Sequence, residues 1–287
     1  PPRILSSAAS DVYKRQHRVS ADGELIQSEE IDIPRPVMMH DWNITRNYVI
    51  FMDLPLVFDL DQAVSGSDPF GFRPECGARL GVMPRDGSNK DIKWIDINPC
   101  FVFHPMNAYE EDNKIILHVC RQNKAMVGGM DEIYGGKDTT GKLWKWTINL
   151  DAETCKEEQI DDAACDFARV DDRLTGLKAK NGYAMAIDEN AKTLTFGQFL
   201  YKFNLEKNTR TDHDLGDNVF GGEPVFVPKS KESSEEKGWV MAIVFDGNIK
   251  KSKLIIVDVE NFDKKPVCEV ILPQRVPFGA HGSWLSN

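Results

Sequence analysis

The stretch Ile92–Arg121 reads IKWIDINPCFVFHPMNAYEEDNKIILHVCR and contains three short runs that are rich in β-branched and aromatic residues. The pairs Asn-Pro and Asp-Asn separate these runs. Runs of this length and composition, bounded by turn residues, are typical of β-strands. The stretch therefore predicts three consecutive strands joined by short turns.

Similar runs continue along the chain on both sides of this stretch. The clearest are NYVIFMDL, KLWKWTINL, TLTFGQFLYKFNL, GWVMAIVFDG, SKLIIVDVENF and VCEVILP. No amphipathic helix longer than two turns interrupts them. Many short strands at regular intervals favour a barrel, a sandwich or a propeller, and the spacing fits consecutive four-stranded antiparallel blades. We therefore predict an all-β fold and favour a β-propeller, although no exact sequence repeat marks the blades.

Three stretches between the strands are predicted to be loops. Asp61–Asp91 and Gln122–Gly141 are rich in glycine and long enough to act as functional covers, whereas Pro228–Gly238 is charged and should face solvent. None of the three divides the chain into separate domains.

The charge balance argues against nucleic acid as a partner. The chain has 287 residues and carries 35 Lys and Arg against 45 Asp and Glu, a formal net charge of -10 at pH 7. Such a chain repels phosphate backbones and anionic lipid surfaces. Its longest apolar runs are broken by Asp53 and Pro55 and are too short to span a bilayer. We predict no nucleic-acid partner and no obligate protein partner, and weak contact with a membrane surface stays open.

The six cysteines show no CxxC spacing. This favours reduced, partly buried thiols over disulfides or a zinc site. The sequence therefore predicts a cytoplasmic protein.

The first sixteen residues, PPRILSSAASDVYKRQ, show neither strand alternation nor a helix-capping pattern. From residue 17 the sequence HRVSADGELIQSEEIDI has the pattern of a strand, a turn and a second strand. We interpret residues 1–16 as foreign or mistranslated sequence, and residues 17–287 as part of a single domain.

The six histidines divide by their sequence context. His17 and His213 stand among polar residues, and each is predicted to be exposed. His118 lies in the run KIILHVCR, where a core or edge histidine is expected. The other three, His40, His104 and His281, come at the ends of apolar segments next to Pro, Gly or Asp.

These last three histidines are the candidate metal ligands. Each could be a core residue bonded to backbone, but three at equivalent strand ends favour a shared metal. Neutral imidazoles suit zinc, copper or iron, and carboxylates normally hold the far ring nitrogen of such ligands. Glu223 and Asp166 lie in apolar surroundings and are candidates for that role, with solvent exposure as the alternative for Asp166.

Several blocks of the chain resemble the successive signature blocks of the carotenoid cleavage oxygenase family. They are VMMHDWNITRNYVIFMDLPLVFDL, IKWIDINPCFVFHPMNAYEEDNKIILHVCR, DFARVDDRLTG, GGEPVFVP with GWVMAIVFDG, and LPQRVPFGAHGSWL. This family includes carotenoid and apocarotenoid dioxygenases, stilbene-cleaving enzymes and the retinoid isomerase of the vertebrate eye. The resemblance covers residues 17–287 and keeps the family's order of motifs.

The resemblance implies a seven-bladed β-propeller with a non-haem Fe(II) ion on its axis, held by four histidines whose outer nitrogens are fixed by three glutamates. His40 matches the ligand of the HD block, His104 that of the FH and NAYE block, and His281 that of the HG block. Glu223 matches the glutamate of the GEPxFV block.

Two features depart from the family's pattern. Asp166 stands where the EFPR block has a glutamate, so the carboxylate is one methylene shorter, and Ala168 replaces the proline. The family's first histidine ligand and first outer glutamate belong to upstream blocks that have no counterpart here. We therefore interpret the chain as an incomplete C-terminal portion of the propeller, with loops capping the axial metal site, and expect weak or no activity of this portion alone.

The resemblance implies an Fe(II)-dependent dioxygenase that cleaves an alkene double bond of a carotenoid or apocarotenoid with O2 and yields carbonyl products. An apolar tunnel should bind the substrate. Its candidate residues are Phe51, Phe103, Trp144, Phe220 and Phe278.

Three other functions stay open at this point. A stilbene of the lignostilbene type is the alternative substrate. A metal-free propeller scaffold, or an inactive truncated product, would not require His40, His104 and His281 to converge. A calcium-dependent propeller hydrolase would need Asp, Asn and Glu ligands on the axis, and the histidines count against it.

Overall fold

The computed structural model describes residues 13–126, 136–191, 195–278 and 281–285. Regular structure in these residues is mainly antiparallel β-sheet, which confirms the all-β prediction. In this described part of the chain, the helical elements are the α-helix α1 (Leu60–Ser65) and the short 3-10 helices Pro74–Cys76, Asn89–Asp91, Asp172–Leu174 and Val259–Asn261.

The helix α1 has six residues, fewer than two turns, because capping residues stand at both of its ends. The Asp59 side chain accepts hydrogen bonds from the backbone N–H groups of Asp61 and Gln62 at its start, and Gly66 ends it with a φ of 79°. Within the described ranges, no helix has the length and apolar character that crossing a bilayer requires.

The first two strands, β1 (Tyr13–Val19) and β2 (Leu25–Asp32), form a hairpin. Tyr13 pairs with Asp32, so residues 13–16 belong to this hairpin. Strand pairing thus extends into the segment that we interpret as foreign. The origin of residues 1–16 stays a prediction.

The next sheet has four strands in the order β3-β4-β7-β8. They are β3 (Asn43–Ile44), β4 (Tyr48–Asp53), β7 (Ala78–Pro84) and β8 (Lys93–Ile97). The connection between β4 and β7 contains α1 and a hairpin of β5 (Leu56–Phe58) and β6 (Phe70–Phe72).

The prediction of one long loop over Asp61–Asp91 is therefore wrong. Gly81, one of the residues that suggested a loop, lies within β7 opposite Trp94 on β8. A Cβ atom at position 81 would lie 2.6 Å from the Trp94 ring, so the glycine allows the indole to pack on the strand. The glycine thus reflects close packing and not a turn.

Two further four-stranded sheets follow, in the orders β12-β11-β10-β9 and β13-β14-β15-β16. The first contains β9 (Phe101–Glu111), β10 (Lys114–Gln122), β11 (Lys142–Asn149) and β12 (Thr154–Gln159). The second contains β13 (Cys165–Arg169), β14 (Asn181–Ile187), β15 (Phe196–Asn204) and β16 (Thr209–Asp214).

The last sheet has five strands, of which β19 pairs with both β17 and β18. They are β17 (Val219–Phe220), β18 (Val225–Pro228), β19 (Gly238–Asp246), β20 (Lys251–Asp258) and β21 (Cys268–Ile271). The predicted loop Pro228–Gly238 joins β18 to β19, and most of its side chains are exposed, as expected. The predicted loop Gln122–Gly141 includes residues 127–135, which lie outside the described residues.

The turn between β9 and β10 shows how local sequence sets the register. Glu111 pairs with Lys114, which leaves Asp112 and Asn113 as the two turn residues. Their φ angles are 48° and 62°, as a two-residue hairpin of type I′ requires, and Asp and Asn tolerate this conformation better than other non-glycine residues. The Asp-Asn pair therefore supports the long β9–β10 pairing that carries His104 on β9.

Three of the sheets meet through their first strands, β3, β9 and β13, whereas the first strand of the last sheet meets the third strand of its neighbour. β9 contacts both β3 and β13, and β17 contacts β15 of the neighbouring sheet. The main hydrophobic core fills the space between the sheets, and Trp146 is its largest fully buried side chain. Residues on or beside these first strands are thereby brought close together, although they are far apart in the sequence.

Asn107 on β9 fixes the loop after β13. Its buried amide donates hydrogen bonds to the carbonyl oxygens of Leu174 (3.3 Å) and Leu177 (2.7 Å) and accepts one from the N–H of Gly176 (3.0 Å). The Asn107→Ala variant leaves these backbone groups without partners, so we expect its free energy of unfolding to fall by about 1–3 kcal/mol. Urea denaturation measures this loss. The exposed Asn190 is the matched control, and an equal loss in Asn190→Ala would contradict the role of Asn107.

Candidate metal centre

The imidazoles of His40, His104 and His281 form one cluster. One ring nitrogen from each lies within 4.8 Å of the corresponding nitrogens of the other two. The ring centroids of His104 and His40 are 5.1 Å apart, and those of His104 and His281 are 4.9 Å apart. The structure therefore brings together three side chains from distant parts of the sequence.

The three histidines occupy different structural settings. His104 lies on β9 and is only 8% exposed, so the sheet fixes its backbone. His40 precedes β3, and its ring packs edge-on against Phe103 with the centroids 5.3 Å apart. His281 belongs to the exposed segment 281–285, which forms no strand. The position of His281 must therefore depend on side-chain contacts.

Asp166 holds the ring of His104. The Nδ1 atom of His104 lies 2.9 Å from Oδ1 of Asp166, and the N–H of Phe167 donates to the same oxygen at 2.8 Å. Asp166 is fully buried, so the alternative of a solvent-exposed carboxylate is wrong. The shorter side chain still reaches the imidazole.

A β-bulge makes this reach possible. The pairing of β13 with β14 is irregular between Asp166 and Arg169, and Phe167 inside this interval has a φ of 55°. An extra residue in a strand bends it and redirects the side chains beside it, which is common next to functional sites. We attribute the successful contact of Asp166 to this bend.

Glu223 holds the ring of His281. Its Oε1 atom lies 3.0 Å from Nδ1 of His281, and its Oε2 atom accepts a hydrogen bond of 2.7 Å from the N–H of Gly282. The side chain of Glu223 is 7% exposed, whereas that of His281 is 50% exposed. A buried carboxylate thus determines where an exposed imidazole sits.

The charges around the cluster affect its imidazoles differently. Burial and the neighbouring His104 both lower the pKa of His40. Burial also disfavours the protonated ring of His104, but the carboxylates of Asp166, Asp41 and Glu223 together outweigh it, and the pKa of His104 is raised. Burial raises the pKa of the adjacent Asp41 carboxyl.

The donor set fits a divalent transition metal. In His104 and His281 a carboxylate engages Nδ1, which leaves Nε2 as the available ligand atom. Three imidazoles are suitable ligands for iron, copper or zinc, whereas calcium and magnesium need oxygen ligands. The site is therefore unlike that of a calcium-dependent hydrolase.

Two cavities adjoin the cluster and share Glu223 and His281. One has a volume of about 480 Å³ and mixed polar lining that includes Asp41, Asn107 and Arg169. The other has a volume of about 440 Å³ and mostly apolar lining, formed by residues such as Phe196, Val225, Phe245, Phe278 and Trp284. The cluster is thus reached from a polar side and from an apolar side.

The candidate tunnel residues are not all at the site. Phe278 lines the apolar cavity, and the Phe220 ring lies 6.5 Å from that of Phe278. Phe103 contacts His40. Phe51 belongs to a separate core cluster, and Trp144 packs on the main core beneath the guanidinium of Arg121. Strand pattern alone does not distinguish aromatic core residues from cavity residues.

The remaining histidines lie away from this centre. His17 is exposed, as predicted. The prediction for His213 is wrong, because it is 2% exposed and its Nδ1 atom donates to the carbonyl oxygen of Phe262 at 2.9 Å. Its polar neighbours alternate to the outer face of β16 while His213 points inward. His118 is a core residue of β10, and burial lowers its pKa to about 4.

Sequence reasoning missed Arg169 as a site residue. Its guanidinium contacts Glu223 and the carbonyl oxygen of Gly282. The signal available in the sequence is an arginine three residues after Asp166 in DFARVDD, where two acidic residues follow.

Comparison with protein-family models matches residues 6–286 to the retinal pigment epithelial membrane protein family. This chain belongs to that family. A curated relative in it, a carotenoid 9,10(9',10')-cleavage dioxygenase 1 of Pisum sativum, is 34% identical over 296 residues, which cover 96% of this chain and 54% of the relative. The resemblance to carotenoid cleavage oxygenases is thereby confirmed.

Solved structures of two oxygenases superpose closely on the chain. Cobalt-substituted apocarotenoid oxygenase of Synechocystis matches with a TM-score of 0.87 and 26% identity, over 97% of this chain and 60% of that one. Lignostilbene dioxygenase of Pseudomonas brassicacearum matches with a TM-score of 0.86 and 24% identity, over 97% and 61%. The chain spans roughly half to two thirds of the length of the family members that it matches.

Proposed function

We propose that the protein to which this chain belongs is a non-haem Fe(II)-dependent dioxygenase. It cleaves an alkene double bond of a carotenoid or apocarotenoid with O2, and each of the two carbonyl products receives one oxygen atom. The observation that carries this proposal is the cluster of His40, His104 and His281 beside an apolar cavity. The names of the relatives, which are dioxygenases, support it.

The proposed fold is part of a seven-bladed β-propeller. The support is the series of antiparallel sheets in which β9 contacts β3 and β13, the first strands of the sheets on either side, with His104 on β9 and Asp166 on β13. The fourth histidine ligand and the remaining blades would come from an upstream region. In such a fold the chain by itself would have an open sheet edge and would lack one ligand, so we expect weak or no activity from it.

The side chains of this chain would hold the metal ion and the substrate. Asp166 and Glu223 accept hydrogen bonds from Nδ1 of their histidines, so that Nε2 would carry the lone pair available to an ion. When bound, Fe(II) would supply the electrons that activate O2 toward an electron-rich alkene. The apolar cavity beside His281 would hold the polyene and exclude water.

The alternative substrate is a stilbene of the lignostilbene type, and the apolar cavity suits both classes. A polyene and a stilbene differ in the phenol, for which a polar partner would be needed. Turnover of an apocarotenoid and of a hydroxystilbene by the same protein, with the carbonyl products identified by mass spectrometry, distinguishes the two substrate classes.

The cytoplasmic location of the protein remains a prediction.

Iron content after anaerobic purification tests the proposal. The comparison is between this chain and a version with the upstream region restored from its source DNA, here called the restored protein. We expect near-stoichiometric iron in the restored protein and less in the chain alone. Absence of iron from both would favour the metal-free scaffold.

A further inference from the structure

His281 depends on contacts from two sheets for its position. The described residues 281–285 form no strand, and the His281 side chain is 50% exposed. The backbone next to it is held on both sides, because the N–H of Gly282 donates to Glu223 and the carbonyl oxygen of Gly282 accepts from Arg169. These contacts take the place of a strand ladder.

Arg169 joins the parts of this arrangement. Its Nη1 atom lies 2.9 Å from the carbonyl oxygen of Gly282 and 3.1 Å from Oε1 of Glu223, the oxygen that also contacts His281. Its Nη2 atom donates to both carboxylate oxygens of Asp172, at 2.9 and 3.1 Å. Arg169 on β13 thus connects its own sheet to Glu223, between β17 and β18, and to the C-terminal segment.

The geometry of the guanidinium explains why an arginine stands here. A planar group with donors on two nitrogens can engage the Asp172 carboxylate on one side and two acceptors on the other. A lysine has one nitrogen and cannot span these partners in fixed directions. The bulge in β13 lies between Asp166 and Arg169. It therefore affects both the residue that contacts His104 and the residue that contacts Glu223, the partner of His281.

We propose that Arg169 is a positioning residue that keeps His281 in the imidazole cluster by clamping Glu223 and Gly282. It is not one of the three imidazoles that would hold the ion. This inference rests on the proposed function, since the purpose of the clamp is to present a metal ligand. It also makes a claim about residues 281–285 that holds for the metal-free protein.

Two measurements on the restored protein test the clamp. The first is Co(II) affinity together with the visible absorption of bound Co(II), which reports the geometry of the ligands. The second is hydrogen exchange of residues 281–285 in the metal-free protein, followed by mass spectrometry. The variants are Arg169→Met and, as a matched control, Arg173→Met. Arg173 holds the buried Asp171 and the carbonyl oxygen of Lys231, away from the histidines.

We expect Arg169→Met to bind Co(II) about 10-fold more weakly, with a changed absorption band. Exchange of residues 281–285 should become about tenfold faster, because charge-assisted hydrogen bonds that restrain the segment are lost. Arg173→Met should alter neither property. Affinity within twofold of the unmodified protein together with unchanged exchange in Arg169→Met would overturn the proposal, as would equal effects in Arg173→Met.

The two levels of inference can fail separately. If the unmodified restored protein binds no Co(II), the proposed function fails, and exchange of residues 281–285 alone decides the clamp. If Arg169→Met does not fold, Arg169→Lys takes its place. Loss of the second donor nitrogen should still accelerate exchange, and an unchanged exchange rate in that variant would overturn the clamp.

Discussion

The His104→Ala variant of the restored protein is expected to retain less than about a tenth of the iron of the unmodified protein. Loss of one ligand and of its oriented partner typically costs 10- to 100-fold or more in metal affinity. His104 is the buried member of the cluster and lies between the other two imidazoles. No remaining imidazole of the cluster is held as firmly by a strand, so none can compensate.

The same variant also leaves Asp166 without its partner. The carboxylate is fully buried and lies 2.9 Å from Nδ1 of His104. Removal of one member of a buried pair costs about 3–5 kcal/mol, so the free energy of unfolding should fall as well. Iron loss in His104→Ala alone could therefore reflect a general loss of structure.

The His104→Asn variant separates the two effects. The amide nitrogen of asparagine can take the place of Nδ1 and donate to Asp166, but nothing replaces Nε2. We expect this variant to unfold close to the unmodified protein in urea and still to lack iron. His17→Ala, which removes an exposed histidine, should keep its iron. Full iron occupancy in His104→Asn would exclude His104 as a ligand.

Gly222→Ala is expected to damage the second half of the centre through the backbone. A Cβ atom at position 222 would lie 2.2 Å from the carbonyl oxygen of Ile243, where an ordinary contact is 3.4–4 Å. Ile243 belongs to β19, which is paired with β20, so that strand cannot easily yield. The backbone at Gly222 must therefore move by about 1 Å, and Glu223 follows it.

Two measurable losses should result from this shift. Steric overpacking costs about 1–3 kcal/mol of unfolding free energy. Displacement of Glu223 from Nδ1 of His281 should weaken Co(II) binding by about 10- to 100-fold. Gly71→Ala is the matched control, since the nearest atom to its added Cβ would be 3.8 Å away and its φ is not positive. Metal affinity in Gly222→Ala that equals that of Gly71→Ala would show that Glu223 does not depend on this close approach.

The strands of this protein were largely predictable because their signals are local. The run CFVFHPMNAYEEDNKIILHVCR folds as β9, a two-residue turn and β10, as its β-branched content and Asp-Asn pair indicate. The prediction of a loop over Asp61–Asp91 was wrong because it took glycines as turn residues, whereas Gly81 is required by packing against another strand. Gly81 is a strand residue that makes room for Trp94, and nothing within its own segment reveals that ring.

Burial of polar side chains was less predictable. Asp166 has acidic neighbours in the sequence, yet it is fully buried, and His213 lies among polar residues but is only 2% exposed. The neighbours of His213 point to the outer side of β16, and the strand bends directly after Asp166. The average polarity of a segment therefore does not decide the burial of one residue in it.

The sequence by itself determined the strand pattern and the kinds of side chain at the centre, through motifs that resemble a known family. Only the tertiary structure decided that His40, His104 and His281 share one site, that a bulge lets the shorter Asp166 reach its histidine, and that Arg169 lies beside Glu223. The physical reason is distance along the chain. Strand propensity and turn chemistry act between neighbouring residues, whereas the three histidines come together through packing between separate sheets, as where β9 contacts β3 and β13.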